Sequence, residues 1–558
     1  MNAAQELTQL IQKTLLDSFG PNILGPTPEV NLTPPKDKKF GDFSTNLALV
    51  LAQKQADQPL KIAALLRANL EKELTRSSLK KQIAKIEVQG PGFINFYLNP
   101  SYLYKILLEI GKQKYKFGSS PRSAGKKIHI EFASANPTGP LNVAHARQAA
   151  FGDSLANLLE FLGNKVTREY YLNDEGLQIE LLGESVSAKY LQFCAIPTQF
   201  PASGYQGKYI SDLAQKLFRR YGRKLASPEK KAFFSEFAYR NILKEIKQDL
   251  KSFGVNFDSW FSQRSLSESG KIKKALGLLR KKGFIYQKDG AWWLASTKFG
   301  DDKDRVVIKS DAKLTYITAD IAYHQTKFKR GFSQMLNVWG PDHHGYIGRI
   351  KAAISALGYD AEQLKVLIVQ LVSLSQAEKI IPMSTRMGQY VSLADIIKAV
   401  GKDAARFFFL MRKKDAHLNF DLALAKKQSL ENPVYYIQYA HARIANILKF
   451  AQKDKNIKLN SPRNLELSLL DKPEELSLIQ ILREFPTVVA SCGQGLEPHR
   501  MTVYLQDLAK TFHNYYEKYR VVCDNPALTQ ARVVLIAAVK IVLKNALGLL
   551  AIRAPESM

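Results

Sequence analysis

An apolar strand, a Pro/Gly loop and a long helix follow one another from Ile128, and this order constrains the fold most strongly. IHIEFAS predicts a buried strand, ANPTGPLN a loop, and VAHARQAAFGDSLANLLEFLG an amphipathic helix. Further strands, MLNVWG and VLIVQLVSL, alternate with helical stretches, as in a parallel sheet with helical crossovers. The sequence therefore predicts an α/β fold with a Rossmann-type nucleotide-binding core.

The regions around this core have different patterns, and 558 residues are too many for one compact domain. Residues 1–115 predict a small α/β domain, in which IEVQGPGFINFYL has strand composition and a turn at Gly90 to Gly92. Residues 116–425 predict the Rossmann-type domain, with a Lys-rich insertion at about 175–300 that contains the hairpin-like KDGAWWLAS. Residues 426–558 have helical periodicity and predict an all-helical domain.

The chain is strongly basic, with 80 Lys and Arg against 51 Asp and Glu and a net charge of +29. Such an excess favours a polyanionic partner, although a general solubility charge explains it equally well. The three cysteines are widely separated, which indicates a reducing compartment without a disulfide framework or a zinc site.

No segment predicts secretion or membrane insertion. The N-terminal residues lack the pattern of a secretory signal. Lysines interrupt the apolar stretch from Val533 to Leu550, which favours a buried amphipathic helix over a membrane span. We therefore expect a cytoplasmic protein without a membrane partner.

Two local patterns suggest ligand sites. The loop from Ala135 to His145 lies between a strand end and a helix start, where backbone N–H groups and the helix dipole favour a triphosphate, although most such turns bind nothing. Tyr316, Asp320 and Tyr323 have i, i+4, i+7 spacing on one helix face, and a carboxylate between phenols suits a guanidinium. A half-buried face with an exposed aspartate is the commoner meaning of that spacing.

Longer stretches resemble one family. The segment IEFASANPTGPLNVAHARQAAFGDSLANLLEFLGNKVTREYYLNDEGLQI resembles the signature region of the arginine–tRNA ligases, which are class I aminoacyl-tRNA synthetases. KFGDFSTNLALVLAQ is similar to the family's domain that grips the tRNA elbow, and NVWGPDHHGYIGRIKAAISALGYD to its catalytic core. ENPVYYIQYAHARI and LGLLAIRAPESM are similar to its helical anticodon-binding region. The resemblance extends over nearly the whole chain in the family's order.

The resemblance implies ATP-dependent attachment of L-arginine to its tRNA through an arginyl-adenylate, with release of AMP and pyrophosphate. It implies ATP, arginine and the tRNA for arginine as partners, Mg²⁺ that arrives with ATP, no metal cage in the protein, and a monomer. Because GPDHHG is expected to be extended, its adjacent histidines point opposite ways and do not predict a metal site.

Positions that match the family's motifs fall into three sets. The arginine-binding set is Glu131, Ser134, Asn136, Tyr316, Asp320 and Gln370. The ATP-binding set is Ala135, Asn136, Pro137, Thr138, Gly139, Pro140, Leu141, Asn142, Val143, Ala144, His145, Gly340, Asp342, His343, Met383 and Ser384. The catalytic set is Asn142, His145, Ser384 and Arg386.

Two signatures depart from the family pattern. Where the family has His-x-Gly-His, Asn142 donates without positive charge and Ala144 adds a methyl group near the adenine position. Where the family has Lys-Met-Ser-Lys-Arg, both lysines are replaced, and Gly139 occupies the upstream position where some members have a substitute lysine. Arg386 or Lys379 could reach the phosphates instead.

These departures leave two alternatives to an active ligase. The first is a catalytically weakened paralogue that binds tRNA without charging it, but such a protein has no chemical reason to keep the arginine-binding set. The second is another nucleotidyl-transfer enzyme of the same fold, which would need neither a tRNA-elbow domain nor a helical anticodon domain.

Overall fold

The computed structural model describes residues 3–20, 29–33, 35, 37–120, 125–227, 230–376, 379–381, 391–454 and 465–558. The helices are α1 (Ala3–Phe19), α2 (Leu47–Gln55), α3 (Pro59–Thr75), α4 (Pro100–Gln113), α5 (Val143–Phe161), α6 (Leu177–Phe193), α7 (Lys208–Tyr221), α8 (Lys231–Ser252), α9 (Arg264–Glu268), α10 (Lys271–Lys281), α11 (Tyr316–Lys329), α12 (Ile347–Leu357), α13 (Leu393–Leu410), α14 (Leu422–Lys426), α15 (Pro433–Asp454), α16 (Pro473–Gly495), α17 (His499–Lys518) and α18 (Pro526–Leu549). The strands are β1 (Phe43–Thr45), β2 (Ile83–Gln89), β3 (Phe93–Leu98), β4 (Lys127–Glu131), β5 (Lys165–Leu172), β6 (Ser259–Ser262), β7 (Ile285–Lys288), β8 (Ala291–Leu294), β9 (Arg305–Ile308), β10 (Gln334–Trp339), β11 (Leu364–Ile368), β12 (Val372–Gln376), β13 (Lys379–Ile381) and β14 (Leu418–Asp421).

A five-stranded parallel sheet in the order β11-β10-β4-β5-β6 forms the centre of residues 118–443. The chain runs from β4 outward to β5 and β6, and later returns to the other side of β4 through β10 and β11. The strand order therefore reverses beside β4, and ligands of such sheets bind outside the carboxyl ends of the strands at that place. The predicted Rossmann-type α/β core is confirmed.

Helix α5 is buried on nearly all sides, so the prediction of an amphipathic helix is wrong. Its small residues let it pack closely against the sheet: a Cβ on Gly152 would lie 2.2 Å from Cγ of Phe132. Its other faces are covered by elements such as α13, so the polar face that a surface helix needs does not exist.

The predicted insertion at about 175–300 is not wholly outside the core. It contains helices α6 to α8, but also β6, which pairs in parallel with β5 at the edge of the central sheet. The predicted hairpin in KDGAWWLAS is confirmed as β7 and β8. Asp289 and Gly290 between these strands have φ of 50° and 73°, the values that a two-residue hairpin turn requires.

The apolar run VLIVQLVSL divides between two sheets. Its first part is β11 of the central sheet, whereas its last part belongs to β12 of a second sheet with the order β13-β12-β14. Residues 369–371 connect the two strands. This break brings Gln370 to the carboxyl end of the central sheet.

A second compact unit consists of residues 1–117, 444–484 and 510–542. Its antiparallel sheet has the order β1-β3-β2, and the predicted turn at Gly90 to Gly92 joins β2 to β3. The buried carboxylate of Asp42 accepts the N–H of Leu98 at 2.8 Å and lies 3.2 Å from the guanidinium of Arg483. The unit thus combines much of the predicted N-terminal domain with parts of the C-terminal helices, and the domain boundaries remain a prediction.

Helices α15 to α18 make up the C-terminal region, as predicted. Among the described residues, α18 is one helix that is long and apolar enough to cross a membrane by length and composition. However, 56% of its most apolar window is buried inside the protein, and a core helix passes the same test.

Candidate active site

Residues of β5 hold the loop that follows β4 at the carboxyl end of the central sheet. The hydroxyl of Tyr170 donates to the carbonyl of Ala135 at 2.9 Å, and the N–H of Tyr171 donates to Oγ of Ser134 at 3.1 Å. Ala133 has a φ of 54°, a left-handed conformation that turns the chain at the end of the strand. The first loop residues of the predicted site therefore lie where the strand order reverses.

Two further contacts position the middle of this loop. Asn173 donates its side-chain N–H to Oδ1 of Asn136 at 2.5 Å. The hydroxyl of Tyr209 donates to the carbonyl of Thr138 at 2.7 Å, and a Cβ on Gly139 would lie 3.2 Å from that hydroxyl. A lysine at position 139 would therefore press on Tyr209, so glycine suits this loop.

Asn142 and His145 form a capping box at the start of α5. Oδ1 of Asn142 accepts the N–H groups of Ala144 at 3.0 Å and of His145 at 3.2 Å, while the N–H of Asn142 donates to Nδ1 of His145 at 3.2 Å. Burial lowers the pKa of His145 to about 4, against the nearby charge of Asp342. Because Nδ1 accepts, the neutral ring carries its proton on Nε2 and is an uncharged donor.

The second signature falls outside the described residues, with all five of its predicted positions: Pro382, Met383, Ser384, Thr385 and Arg386. The backbone of Lys379 belongs to β13, which pairs with β12. At the next described residues, Ser392 pairs with Asn142, and the N–H of Leu393 donates to the carbonyl of Leu141 at 2.8 Å. The chain thus returns directly beside the start of α5.

The helix face predicted from sequence extends from solvent into the core. Tyr316 is 75% exposed at the first residue of α11, whereas Tyr323 is 1% exposed and donates to a buried carboxylate. Asp320 lies between them, and its Oδ2 accepts the hydroxyl of Tyr346 at 2.5 Å. Burial raises the pKa of Asp320 to about 6 against that hydrogen bond, and the charge of Glu131 adds to the rise.

A buried hydrogen-bond network lies behind Glu131. Lys327, which is fully buried, donates to Oε2 of Glu131 at 2.6 Å and to Oδ1 of Asn337 at 2.9 Å. The amide nitrogen of Asn337 lies 3.0 Å from Nε2 of His324, and burial holds the pKa of His324 well below its usual range. One oxygen of Glu131 is therefore engaged, and Lys327 balances its charge.

A second buried carboxylate, Glu169, has contacts on both oxygens. Oε1 lies 2.8 Å from Nε2 of His129 and accepts the hydroxyl of Tyr323 at 2.9 Å, while Oε2 accepts from Arg330 at 2.7 Å. Burial opposes its charge, but His129 and the cations around it hold the pKa of Glu169 well below its usual range. Glu169 therefore supports the sheet and helix α11 from within.

The GPDHHG segment forms a 3₁₀ helix directly after Gly340, so the expectation of an extended segment is wrong. Nε2 of His343 lies 3.3 Å from Oδ2 of Asp342, and both side chains are exposed. The charge of Asp342 acts on His145, and that of His343 acts on Asp320, so the segment is close enough to influence both side chains electrostatically. Within the described part of the chain, no group of three or more His, Cys, Asp or Glu could hold a metal ion.

A buried guanidinium holds the backbone beside Gln370. Arg147, on α5, is 1% exposed and donates to the carbonyls of Gln370 at 2.8 Å, Lys413 at 2.8 Å and Ala416 at 2.9 Å. Burial lowers the pKa of Arg147 to about 10, although Asp415 opposes this. Arg147 thus ties the chain after β11 to the helix that begins at the predicted ATP loop.

Sequence reasoning missed several of these side chains. Lys327 lies seven residues after Asp320 on α11, so the same helical spacing, continued for two turns, would have indicated it. Tyr346, Arg147 and Asn173 give no such signal, because their partners lie 26, 223 and 37 residues away in the chain.

Models of three protein families match consecutive parts of the chain. Residues 5–98 match an arginyl-tRNA synthetase N-terminal domain, residues 106–444 the catalytic domain of class I tRNA synthetases (R), and residues 437–558 a DALR anticodon-binding domain.

Full-length relatives have the same organisation. The chain is 44% identical to an arginine–tRNA ligase of Moorella thermoacetica over 567 residues, covering 100% of both chains. It is 47% identical to an arginine–tRNA ligase of Geobacillus thermodenitrificans over 536 residues, covering 95% of each. The arginyl-tRNA synthetase of Thermus thermophilus has a similar fold, with a TM-score of 0.76 and 20% identity over 99% of this chain and 100% of that one.

Proposed function

The chain belongs to the class I arginyl-tRNA synthetase family, and we propose that it attaches L-arginine to its tRNA at the expense of ATP. The arginine carboxylate attacks the α-phosphate of ATP, so that arginyl-adenylate forms and pyrophosphate leaves. A ribose hydroxyl of the tRNA terminus then attacks the arginyl carbonyl, and AMP leaves. The protein must therefore hold a cationic amino acid in line with a polyanionic nucleotide.

The observation that carries this proposal is the pair of carboxylates, Asp320 and Glu131, at the carboxyl end of the central sheet. Tyr346 donates to one oxygen of Asp320, and Lys327 donates to one oxygen of Glu131. In each carboxylate the other oxygen is left to accept a ligand N–H. A guanidinium presents planar donors that match such acceptors. We assign arginine binding to Glu131, Ser134, Asn136, Tyr316, Asp320 and Gln370.

ATP is proposed to bind along the loop from Ala135 to His145. The N–H groups of Ala144 and His145 already bind the side chain of Asn142. Phosphate contacts at this helix end therefore come from the helix dipole and from the neutral Nε2–H of His145. In this proposal Asn142 contributes by holding His145 in position.

Further residues and Mg²⁺ complete the proposed nucleotide site. Gly340, Asp342 and His343 contact the ribose side, and Met383, Ser384 and Arg386 contact the triphosphate. Mg²⁺ enters with ATP and bridges its phosphate oxygens, so it belongs to the substrate. Arg386 or Lys379 supplies the charge of the missing signature lysines.

We propose that the enzyme works as a cytoplasmic monomer. Residues 1–115 would grip the tRNA elbow, and residues 426–558 would bind the anticodon. The description of the family model that matches residues 437–558, an anticodon-binding domain, supports the second assignment. The net charge of +29 also favours a polyanionic partner.

The experiment that tests this function is ATP- and tRNA-dependent charging of the purified protein with labelled arginine, beside lysine and glutamine. Arginine-specific charging is expected. Normal tRNA binding without charging of any amino acid would contradict the proposal and leave a tRNA-binding paralogue as the explanation.

A further inference from the structure

Tyr346 ends the 3₁₀ helix after Gly340, and its ring is held firmly. The ring packs 6.1 Å from that of Trp339, and the guanidinium of Arg349 lies 4.9 Å from its centre. Tyr346 also packs against two buried hydrophobic clusters, both of which include residues of α12. The position of its hydroxyl is therefore set by packing rather than by a ligand.

That hydroxyl donates to Oδ2 of Asp320 at 2.5 Å, across 26 residues of chain. To accept a guanidinium N–H with its second oxygen, the carboxylate must hold its plane in a fixed orientation toward the donor. A hydrogen bond to one oxygen from a fixed ring removes the freedom of the carboxylate to rotate. On the basis of the proposed function, we infer that Tyr346 is a positioning residue, which orients the Asp320 carboxylate and keeps it ionised for the guanidinium of arginine.

The charges around Asp320 explain why its ionised form requires a hydrogen-bond donor. Burial and the charge of Glu131 on β4 disfavour its ionised form, whereas Lys327 on α11 and His343 favour it. The phenol of Tyr171, on β5, lies within electrostatic range of Asp320, and its hydroxyl donates to Gln263 at 3.2 Å. Among the influences that lower the pKa of Asp320, the hydrogen bond from Tyr346 is the largest.

The test is calorimetric titration of L-arginine into three full-length proteins: wild type, Tyr346→Phe and Tyr359→Phe. Tyr359 is the matched control, because its ring stacks 4.4 Å from Phe328 against the same core, and losing its hydroxyl leaves Asp320 untouched. We expect Tyr346→Phe to weaken arginine binding about tenfold at neutral pH, as for loss of one hydrogen bond to a charged group. Tyr359→Phe is expected to bind as wild type does.

The pH profile separates positioning from a general structural effect. Arginine affinity is measured from about pH 5.5 to about pH 8.5. The pH at which affinity is half-lost should be higher in Tyr346→Phe than in wild type, because the ionised Asp320 has lost a donor. Since His343 faces the same carboxylate, the comparison is repeated in a His343→Gln background, where the upward shift should persist.

Two outcomes would overturn the role of Tyr346, and a third would overturn the proposed function. An affinity and profile equal to those of Tyr359→Phe would overturn that role, as would a loss of affinity by the same factor at every pH together with a lower melting temperature. If wild type bound arginine no better than lysine, the proposed function itself would fail. Arginine-specific binding by wild type with an unaffected Tyr346→Phe profile would overturn the role of Tyr346 alone.

Discussion

Replacing Lys327 with methionine tests whether the buried network behind the site supports the fold. Lys327 is fully buried and Glu131 is 6% exposed, and their charged atoms lie 2.6 Å apart. Methionine keeps most of the side-chain volume, so the loss is that of the charge and of two hydrogen bonds. Removing one partner of a buried pair costs about 3–5 kcal/mol, because the other charge remains without compensation.

Urea unfolding followed by tryptophan fluorescence measures this cost. The four tryptophans all lie within residues 118–443, so the signal reports on the unit that contains the network. Lys329→Met is the matched control, since Lys329 is exposed on the same helix and its ammonium lies 3.3 Å from Gln325. Its replacement is expected to change the free energy of unfolding by less than about 0.5 kcal/mol.

The double variant Glu131→Gln with Lys327→Met shows whether the unpaired carboxylate causes the loss. We expect the double variant to be more stable than the sum of the two single losses predicts, because it contains no unpaired buried charge. A loss below about 1 kcal/mol for Lys327→Met, or additive effects of the two changes, would refute the reasoning.

Four further predictions concern the site. Asp320→Asn should weaken arginine binding roughly 10- to 100-fold in calorimetry, while Asp311→Asn on an exposed loop should not. Because the pKa of Asp320 is raised to about 6, its charge is present above that pH, so arginine affinity should fall as pH drops through about 6; a flat binding profile would contradict this. Arg147→Met should reduce stability by roughly 3 kcal/mol in urea and raise the KM for arginine, since three backbone carbonyls lose a buried charged donor, whereas exposed Arg412→Met should do neither. Asn142→Ala should cost about 1 kcal/mol in the same unfolding assay, through loss of the helix cap.

The parts of the fold predicted correctly are those that local sequence determines. The turn at Gly90 to Gly92 and the hairpin around Asp289 and Gly290 depend on residues that adopt special φ values or tight turns. The strand, loop and helix from Ile128 are predicted from an apolar run, from Pro and Gly in the loop and from the helix pattern that follows, although the helix has no polar face.

The parts predicted wrongly depend on tertiary contacts. The apolar run 366–374 contains no residue that marks the break between β11 and β12, so sequence does not indicate that the two strands belong to different sheets. Helix α5 has a mixed composition, but the sheet and α13 cover the faces that looked solvent-exposed. Strand β6 carries the aromatic Trp260 and Phe261 within a polar region. Nothing in the sequence predicts its pairing with β5, which the structure shows.

In the candidate site, too, sequence predicts some residues and cannot predict others. Asp320 and Tyr316 could be proposed because helical spacing and family motifs indicate them. Their partners could not, because a hydroxyl from Tyr346 or a guanidinium from Arg147 reaches the site through the topology of the sheet. The second signature lies outside the described residues, so the predictions for Ser384 and Arg386 are unchanged.

The first signature, Asn142 to His145, has no positive charge, but its side chains are still held in place by hydrogen bonds. Asn142 and His145 bind each other, and the lowered pKa of His145, about 4, keeps its ring neutral at physiological pH. Arg147, two residues farther on, donates its guanidinium N–H groups to backbone carbonyls. A triphosphate on this loop would therefore meet oriented dipoles and neutral donors, so its negative charge must be balanced from elsewhere. The proposed mechanism leaves two sources of positive charge: Mg²⁺ that accompanies ATP, and a cation near the second signature, Arg386 or Lys379. We therefore predict that charging depends strongly on Mg²⁺ and on one of these two side chains.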